Sequence, residues 1–364
     1  MAFRDEGPFD THRDRFFDVA PSILLLALLM LAACTGPPPE TGRARMGHVE
    51  RLDPRLDALV DPDARFEVLS SGHAWTEGPV WVADGAYLLF SDIPPNTIFR
   101  WKEGEGAAPY LTPSGYTGTA PRGGETGSNA LLLDPQGRLV LAQHGDRRLA
   151  RMEAPLDAPA PRFTTLADRY DGRRFNSPND AVFAPDGALY FTDPPYGLEH
   201  GPDDPARELP FQGVYRRDPG GAVTLLTDSL TRPNGIAFSP DARTLYVANS
   251  DPEHAVWMAY DVRGDGTLAN GRVFFDVTPL VREGRKGLPD GLKLDRDGHL
   301  FATGPGGVLV FAPDGTHLGT LHTTQATSNA AFGGDGRTLY VTADDYLLRI
   351  PLRTTGDGFP PGDP

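Results

Sequence analysis

Residues 185–193 read PDGALYFTD, a tight turn followed by an apolar strand that ends in a hydroxyl and an acidic residue. Asp-Gly between two β-rich runs is a strong short-range signal for a β-hairpin. Five further copies of the pattern occur along the chain: DGAYLLFSD (84–92), DPQGRLVLAQ (134–143), PDARTLYVAN (240–249), DRDGHLFATG (295–304) and GDGRTLYVTA (334–343). This repeat decides the fold, because each copy predicts a hairpin of the same kind.

The spacing of the copies indicates how the hairpins are assembled. The hairpin positions lie 52, 50, 55, 56 and 38 residues apart and are Gly85, Gly137, Gly187, Ala242, Gly298 and Gly336. A period of about fifty residues with several strands in each is typical of a β-propeller. The sequence therefore predicts an all-β fold, a six-bladed β-propeller. A pair of β-sandwich domains is the alternative, but sandwiches do not require six copies in register.

The last repeat leaves its blade one strand short. After the sixth hairpin, only residues 346–350 (YLLRI) read as a further strand. Residues 66–69 (FEVL) can supply the missing outer strand and remove the exposed edge between the first and last blades. We therefore expect the propeller to occupy residues 64–353, closed by this N-terminal strand and followed by a C-terminal tail at 354–364.

The composition is that of an acidic globular protein. The chain has 364 residues, of which 39% are hydrophobic, and a formal net charge of −15. This charge argues against nucleic acid as a partner, because phosphate binding needs a basic surface. The single cysteine, Cys34, excludes an intrachain disulfide and a cysteine-rich zinc site. We expect a monomer.

The N-terminal residues resemble a targeting signal. Residues 23–33 (ILLLALLMLAA) are too few to span a bilayer but suit the apolar region of a signal peptide. The segment LAAC at 31–34 resembles the lipobox of bacterial lipoproteins, in which the cysteine is lipidated. We expect a signal peptide at 1–33, lipidation at Cys34, a tether at 34–63 and a place in the bacterial cell envelope, either lipid-anchored or periplasmic. The alternative is a buried apolar segment with an unrelated thiol.

A second pattern lies eight residues before each hairpin position. The six residues found there all carry a side-chain oxygen: Glu77, Asn129, Asn179, Asn234, Asp290 and Ser328. Each comes just before an apolar strand, and the first strand of every propeller blade lines the central channel. The sequence therefore predicts a ring of oxygen atoms around the axis. Asn and Asp are also ordinary turn residues, but that alternative explains neither the shared offset nor Glu77.

Such a ring favours a hard divalent cation. Carboxylate and amide oxygens without thiols suit Ca²⁺ best, with Mg²⁺ and Mn²⁺ as weaker candidates. Zn²⁺ is not excluded, although the nine histidines show no zinc-binding spacing. Glu77 and Asp290 would repel each other without a cation, and one of them would take up a proton.

Five segments at blade spacing carry a family resemblance: TEGPVW (76–81), RFNSPNDAVFAPDGALYFTDPPYG (174–197), RPNGIAFSPD (232–241), LPDGLKLD (288–295) and SNAAFGGDGRTLYVTA (328–343). Together they resemble the gluconolactonase and regucalcin family, also called SMP30/gluconolactonase/LRE-like, over about residues 65–350. The resemblance implies a six-bladed propeller with one divalent ion, usually calcium, that hydrolyses lactones or, in relatives, organophosphorus esters. Carried over by motif, the metal ligands are Glu77, Asn179, Asn234 and Asp290.

The resemblance also implies roles for individual residues. Asp290 is the expected general base, with Glu77 as the second candidate; the alternative is that Asp290 is a ligand alone. Asn129 and Ser328 lie outside the family's ligand set, so we expect them to contact substrate or to support the ligands.

The walls of the site are less well defined by sequence. His144, Arg174 and Tyr196 are candidate substrate-binding residues, and Arg122 and His322 could also line the mouth, although residues of these types are more often surface or loop residues. Three functions remain open: a metal-dependent lactone hydrolase, a calcium-dependent phosphotriesterase or arylesterase, and a non-catalytic propeller that binds partners at the cell surface.

Overall fold

Each sequence repeat supplies the second strand of a separate antiparallel sheet in the structure, a computed structural model that describes residues 42–359. These second strands are buried almost throughout: every residue of Tyr87–Asp92, Leu139–Gln143 and Leu189–Asp193 is enclosed. Strands that are buried on both faces read as continuous apolar runs. This burial is why the repeat is visible in the sequence.

Six sheets, numbered here as blades 1 to 6 in chain order of their first strands, surround a central channel. The first strand of each blade contacts the first strand of the next, and blade 6 contacts blade 1, so the ring is closed. The protein is therefore an all-β, six-bladed β-propeller, and the sequence prediction is confirmed.

Blades 1 to 3 each have four strands. From the channel outward, blade 1 consists of Thr76–Val82, Tyr87–Asp92, Thr97–Lys102 and Gly106–Leu111; blade 2 of Ser128–Leu133, Leu139–Gln143, Arg148–Met152 and Phe163–Ala167; and blade 3 of Ala181–Phe183, Leu189–Asp193, Gly213–Arg217 and Val223–Thr227.

Blade 4 has four strands, and blades 5 and 6 each have five. In the same order, blade 4 consists of Pro233–Phe238, Thr244–Asp251, His254–Val262 and Leu268–Asp276; blade 5 of Leu292–Leu294, Leu300–Gly304, Gly307–Phe311, His317–His322 and His48–Arg51; and blade 6 of Thr327–Gly333, Thr338–Ala343, Tyr346–Pro351, Phe66–Ser70 and Arg45–Met46.

The remaining elements are short. They are the 3₁₀ helices Pro54–Ala58 and Gly201–Asp203, the α-helix Thr278–Arg282, and a two-stranded sheet of Arg169–Tyr170 with Arg173–Arg174. Within residues 42–359, none of the helices has the length and apolar character that crossing a membrane requires.

The ring closes as the sequence predicts. Phe66–Ser70 pairs antiparallel with Tyr346–Pro351, and Val68 lies opposite Leu348. An N-terminal strand therefore completes the blade that the C-terminal strands begin, which removes the exposed edge between the two ends of the chain.

The predicted tether at 34–63 is wrong over its described part. His48–Arg51 forms a fifth strand on blade 5, and the 3₁₀ helix that follows buries Leu56 in the core together with Leu59 and Val60. The outer strand pairs through its backbone and needs little apolar periodicity, so the sequence pattern did not reveal it. The signal peptide, Cys34 and residues 35–41 lie outside the described residues.

The predicted C-terminal tail also packs on the propeller as far as it is described. The amide of Gly356 donates to the Gly336 carbonyl at 2.9 Å, and the amide of Asp357 donates to the Leu294 carbonyl at 3.0 Å. Phe359 packs against the hydrophobic core shared by blades 5 and 6. Residues 354–359 therefore belong to the folded domain.

Candidate metal centre

The structure brings five of the six predicted ring residues together. They line one cavity of about 450 Å³ at the end of the channel where the first strands begin, and they are Glu77, Asn129, Asn179, Asn234 and Asp290. The side chains come from blades 1 to 5, so neighbouring blades supply oxygen atoms to a common space.

Ser328 is the exception. Its hydroxyl donates to the Thr76 carbonyl at 2.7 Å, and the residue is fully buried away from the cavity. The pairing with the second strand shifts register between Thr327 and Asn329, so Ser328 has no partner residue in the ladder, and its hydroxyl is held by the neighbouring blade instead. Asn329 makes the contact with the ring instead, and its amide donates to Glu77 Oε2 at 3.2 Å. The predicted substrate contact at Ser328 is therefore wrong.

Register shifts at the same level of the first strand recur in four blades. They interrupt the pairing with the second strand between Glu77 and Val80, Ser128 and Leu131, Pro233 and Ile236, and Thr327 and Asn329. β-Bulges bend a strand and re-aim its side chains, and they are common beside active sites. Here they lie beside the polar residues at the strand starts.

Glycines behind the ring residues allow the blades to approach closely. A Cβ atom at Gly78 would lie 2.1 Å from the carbonyl oxygen of Asn129, and one at Gly235 would lie 2.2 Å from the carbonyl oxygen of Asp290. Gly78 also has a φ of +50°, which favours glycine. The pairs Glu77-Gly78, Asn234-Gly235 and Asp290-Gly291 therefore bring three of the ring residues close to the next blade.

Several ring oxygens have no hydrogen-bond partner among the described residues. Asn129 Oδ1, Asn179 Oδ1 and Asp290 Oδ1 are each enclosed and unpaired. A buried polar atom without a partner is costly, and native proteins rarely leave one without a function. A bound cation would satisfy the oxygens of Asn179 and Asp290, and the oxygen of Asn129 lies in the same cavity.

The side-chain amide of Asn234 is also oriented with its oxygen available to the cavity, as the contact of its nitrogen shows. Its Nδ2 donates to Ser250 Oγ at 3.0 Å. Because the nitrogen is held by a neighbour, the oxygen of this amide is left for the cavity.

The carboxylates around the cavity carry more negative charge than the protein compensates. Burial raises the pKa of Asp290, and the nearby charges of Glu77, Asp180 and Glu125 raise it further. Burial also raises the pKa of Glu77, with a further contribution from Asp180. A cation among them would oppose both shifts by favouring the charged forms. The donor set of Glu77, Asn179, Asn234 and Asp290 therefore fits a hard divalent ion.

The predicted wall residues occupy three different environments. Tyr196 lines the cavity, and burial followed by the charge of Asp290 raises the pKa of its phenol. His144 is fully buried behind Asn179 rather than in the wall. Arg174 lies away from the cavity, where its guanidinium donates to the Asp146 carbonyl at 2.8 Å, so the predicted substrate contact there is wrong.

Sequence reasoning missed several residues that line the cavity. Glu125 comes from the Gly-rich stretch 112–128, where no strand register indicated its direction. Ser250 comes from the strand Thr244–Asp251 and directly follows the repeat copy at 240–249. This position was the one sequence feature that could have identified it as a cavity residue. The other lining residues that the sequence did not single out are Trp75, Arg232, Val281, Gly287, Leu288, Ala326 and Thr327.

A Ser-His-Asp arrangement lies outside the cavity wall. Ser70 Oγ is 2.8 Å from His73 Nε2, and His73 Nδ1 is 3.5 Å from Asp92 Oδ2. Asp92 also accepts the backbone amides of Ala74 and Trp75. Asp193 in blade 3 accepts two backbone amides in the same way. The arrangement therefore anchors the loop that enters the first strand.

An acidic cluster with a histidine lies at the hairpin of blade 5. Asp295 Oδ1 accepts the backbone amides of Asp297 and His299, and its Oδ2 accepts the Thr354 hydroxyl at 2.7 Å and lies 2.8 Å from His299 Nδ1. Both carboxylate oxygens are thus already engaged. The cluster stabilises the hairpin and ties residue 354 to blade 5.

Comparison with known proteins places these features in context. The profile of the SMP-30/Gluconolactonase/LRE-like region matches residues 75–345. A gluconolactonase of Zymomonas mobilis subsp. mobilis is 39% identical over 322 residues, which cover 85% of this chain and 88% of that protein. A pentonolactonase of Haloferax volcanii is 30% identical over 273 residues, covering 73% of this chain and 80% of that protein.

Solved structures show the same architecture. A gluconolactonase from Xanthomonas campestris superposes with a TM-score of 0.71 at 32% identity, covering 85% of this chain and 98% of that chain. A calcium-binding regucalcin from Agrobacterium tumefaciens superposes with a TM-score of 0.60 at 21% identity, covering 80% of this chain and 95% of that chain. At 21% identity, the similarity to the regucalcin shows a shared fold alone.

Proposed function

Because this chain belongs to the SMP-30/gluconolactonase/LRE-like family, we propose that it is a metal-dependent hydrolase that opens a sugar lactone. Lactone hydrolysis is the activity that it shares with its relatives, and it makes the protein a carboxylic ester hydrolase. The observation that carries metal dependence is the set of unpaired oxygens around one cavity. The cavity, at about 450 Å³, has the size of a small-molecule site.

The cation would be held by Glu77, Asn179, Asn234 and Asp290. Ca²⁺ is favoured because it accepts many oxygen ligands in flexible geometry, and Mg²⁺, Mn²⁺ and Zn²⁺ are weaker candidates. When bound, such an ion would polarise the lactone carbonyl and stabilise the oxyanion that forms on water attack.

Asp290 is the proposed general base. Its Oδ1 lies beside the cavity without a hydrogen-bond partner in residues 42–359, so the carboxylate can accept the proton of the attacking water. Glu77 is the weaker candidate, because its Oε2 already accepts the Gly78 amide at 2.7 Å and the Asn329 amide at 3.2 Å. Those two bonds hold Glu77 in place as a ligand.

Three further side chains are positioned to bind substrate. Asn129 offers an amide to the hydroxyl groups of a sugar, and the raised pKa of Tyr196 keeps its phenol protonated as a hydrogen-bond donor. Arg232 is exposed at the rim of the cavity and adds a positive charge. All three lie beside the unpaired oxygens, where a lactone carbonyl must be placed.

A substrate panel tests this function. Initial rates would be measured with D-glucono-1,5-lactone, an aryl ester and a phosphotriester, each with calcium and with EDTA. We expect calcium-dependent hydrolysis that is fastest for the lactone. Preferential turnover of the phosphotriester or aryl ester would favour the corresponding esterase, and no turnover above the uncatalysed rate would favour a binding propeller.

We also propose that the protein is anchored in the cell envelope through a lipid on Cys34. The support is the apolar run at 23–33 followed by LAAC, together with the absence of any other cysteine in the sequence. Cys34→Ala should release the protein from the membrane fraction. Mass spectrometry that found an unmodified, soluble chain retaining residues 1–33 would contradict the proposal.

A further inference from the structure

His144 connects a cavity carboxylate to a proposed metal ligand. The residue has no solvent exposure. Its Nδ1 lies 2.8 Å from Glu125 Oε2, and its Nε2 lies 3.5 Å from Asn179 Nδ2, at the outer limit of hydrogen-bond distance. Glu125, His144 and Asn179 therefore form a chain of polar contacts that ends at the cation site.

Glu125 determines which atoms donate and which accept in this series of contacts. An ionised carboxylate can only accept, so the Nδ1 of His144 must carry the proton that faces Glu125. In that tautomer Nε2 carries a lone pair, which accepts a hydrogen bond from the amide nitrogen of Asn179. With its nitrogen turned toward His144, the amide presents Oδ1 to the cavity, where this oxygen is enclosed and unpaired.

Asn234 follows the same principle with a different partner. The Ser250 hydroxyl donates to the Pro289 carbonyl, so its lone pairs are free to accept the Asn234 amide at 3.0 Å. Two proposed amide ligands thus have their nitrogen ends held by buried neighbours, which leaves both oxygen ends for a cation.

The loop that carries Glu125 is fastened to the propeller. Arg122, in the same loop, donates to the carbonyls of Gly145 and Gly197, and the Gly127 amide donates to the Ile93 carbonyl at 3.0 Å. These contacts fix both sides of Glu125. The position of its carboxylate is therefore set by the fold of the loop.

We propose that Glu125 and His144 are positioning residues that hold Asn179 with its carbonyl oxygen toward the bound cation, so that the Gly-rich loop 112–128 sets the metal affinity. The inference rests on the proposed metal centre but not on the identity of the substrate. Supporting contacts of this type commonly change metal affinity 10- to 100-fold when they are removed.

The test measures calcium binding by calorimetry, with no substrate present. His144→Leu removes the acceptor and should raise the calcium Kd about 10- to 100-fold, whereas His144→Gln can still accept and should recover most of the affinity. In an Asn179→Asp background both ends of the side chain are oxygen, so adding His144→Leu should change the Kd less than about threefold, because no orientation remains to be set. Melting temperatures in EDTA verify that each variant is folded.

A second pair of variants addresses Glu125, whose side chain is 36% exposed and can be replaced without disturbing the core. Glu125→Gln removes the charge but keeps an acceptor for His144, whereas Glu125→Leu removes both. The proposal requires a larger loss of calcium affinity for Glu125→Leu than for Glu125→Gln. Equal losses would mean that Glu125 acts through its charge alone and would overturn its positioning role.

Turnover separates this inference from the proposed function. At saturating calcium, His144→Leu should keep kcat within about threefold of the wild type, because the effect lies in metal loading. An unchanged Kd with a collapsed kcat would overturn the proposal and place His144 in the chemistry. If the wild type binds calcium but opens no lactone, the proposed function fails while the positioning role stands. If it binds none of Ca²⁺, Mn²⁺ and Zn²⁺, both fail.

Discussion

Residues of the ring differ in how many of their oxygens are already hydrogen-bonded. Glu77 Oε2 accepts two amides, whereas Asp290 Oδ1 accepts none among the described residues. This difference supports the proposal that Glu77 acts as a ligand and that Asp290 acts as the general base. Asn129 Oδ1 also has no partner among the described residues, but Asn129 lies outside the ligand set that the family resemblance implies.

Replacing Asp290 separates its two proposed roles. Asp290→Asn keeps an oxygen at the site but removes one of the two charges in the ligand set, so the calcium affinity should fall. At saturating calcium, kcat should still be lower by about 10²–10⁴-fold, which is the usual contribution of a general base. Calorimetry and steady-state rates on the same preparation measure both effects.

Asn129→Ala is the matched control for that experiment. It should leave calcium binding almost intact and act mainly on KM. A wild-type kcat for Asp290→Asn at saturating calcium would show that the aspartate is a ligand alone, and the role of base would pass to Glu77.

Gly78 provides a stability prediction at the same scale. A Cβ atom at Gly78 would meet the Asn129 carbonyl at 2.1 Å, whereas a Cβ atom at Gly72, also at positive φ, would meet no atom of residues 42–359 within 4 Å. Gly72→Ala should cost about 1–2 kcal/mol of unfolding free energy from its left-handed backbone alone. Gly78→Ala should cost clearly more and should also weaken calcium binding. Equal unfolding free energies for the two variants would contradict the close approach of blades 1 and 2.

Elements outside the repeat contribute more to the fold than their sequence suggests. Arg45–Met46 and His48–Arg51 add fifth strands to blades 6 and 5, and the 3₁₀ helix Pro54–Ala58 places Leu56 in the core. The N-terminal chain thus covers the outer edges of two neighbouring blades. These edges would otherwise present unpaired backbone groups.

The contribution of the N-terminal 3₁₀ helix to stability can be tested by one substitution and its control. Leu56 is 1% exposed, so Leu56→Ala should destabilise the protein by about 2–5 kcal/mol through lost burial and a cavity. Leu52 is 56% exposed, and Leu52→Ala should change the stability by no more than about 0.5 kcal/mol. Urea unfolding measures both. If the segment were a tether, the two variants would be equally stable.

The hairpin of blade 5 gives a pH prediction. The hydrogen bond with Asp295 raises the pKa of His299 above its usual range. A raised pKa in the folded state means that the pair stabilises the protein fully below the unfolded pKa of about 6.5 and that this contribution is lost as the pH rises through the folded value. His299→Gln should therefore reduce the unfolding free energy more at pH 5.5 than at pH 8.5. The difference should stay below about 1 kcal/mol, because the pair is partly exposed to solvent. If the unfolding free energies of the wild type and His299→Gln differed by the same amount at both pH values, the prediction would be contradicted.

At the scale of the whole molecule, the repeat and the closing strand were predictable from sequence. The second strand of each blade is buried on both faces, so every blade carries a similar apolar run. The positions of the five cavity residues followed from the same register. The loss of Ser328 from the ring was not predictable, because its hydroxyl is bound by the Thr76 carbonyl of the neighbouring blade. Glu125 and the His144 contact were also hidden, since they depend on how a loop of 112–128 folds against other blades. The outer N-terminal strands pair through backbone atoms and leave little apolar pattern.

The central claim is that a cation held by Glu77, Asn179, Asn234 and Asp290 is required for lactone hydrolysis. The most direct measurement is the initial rate on D-glucono-1,5-lactone as a function of free calcium, starting from protein stripped with EDTA and verified metal-free by mass spectrometry. We expect no rate above the uncatalysed reaction without metal, and a saturable rise whose midpoint equals the calorimetric Kd. In Glu77→Gln, the midpoint and the Kd should shift upward by the same factor. Full activity of the metal-free protein, or a rate that does not follow calcium occupancy, would contradict the account.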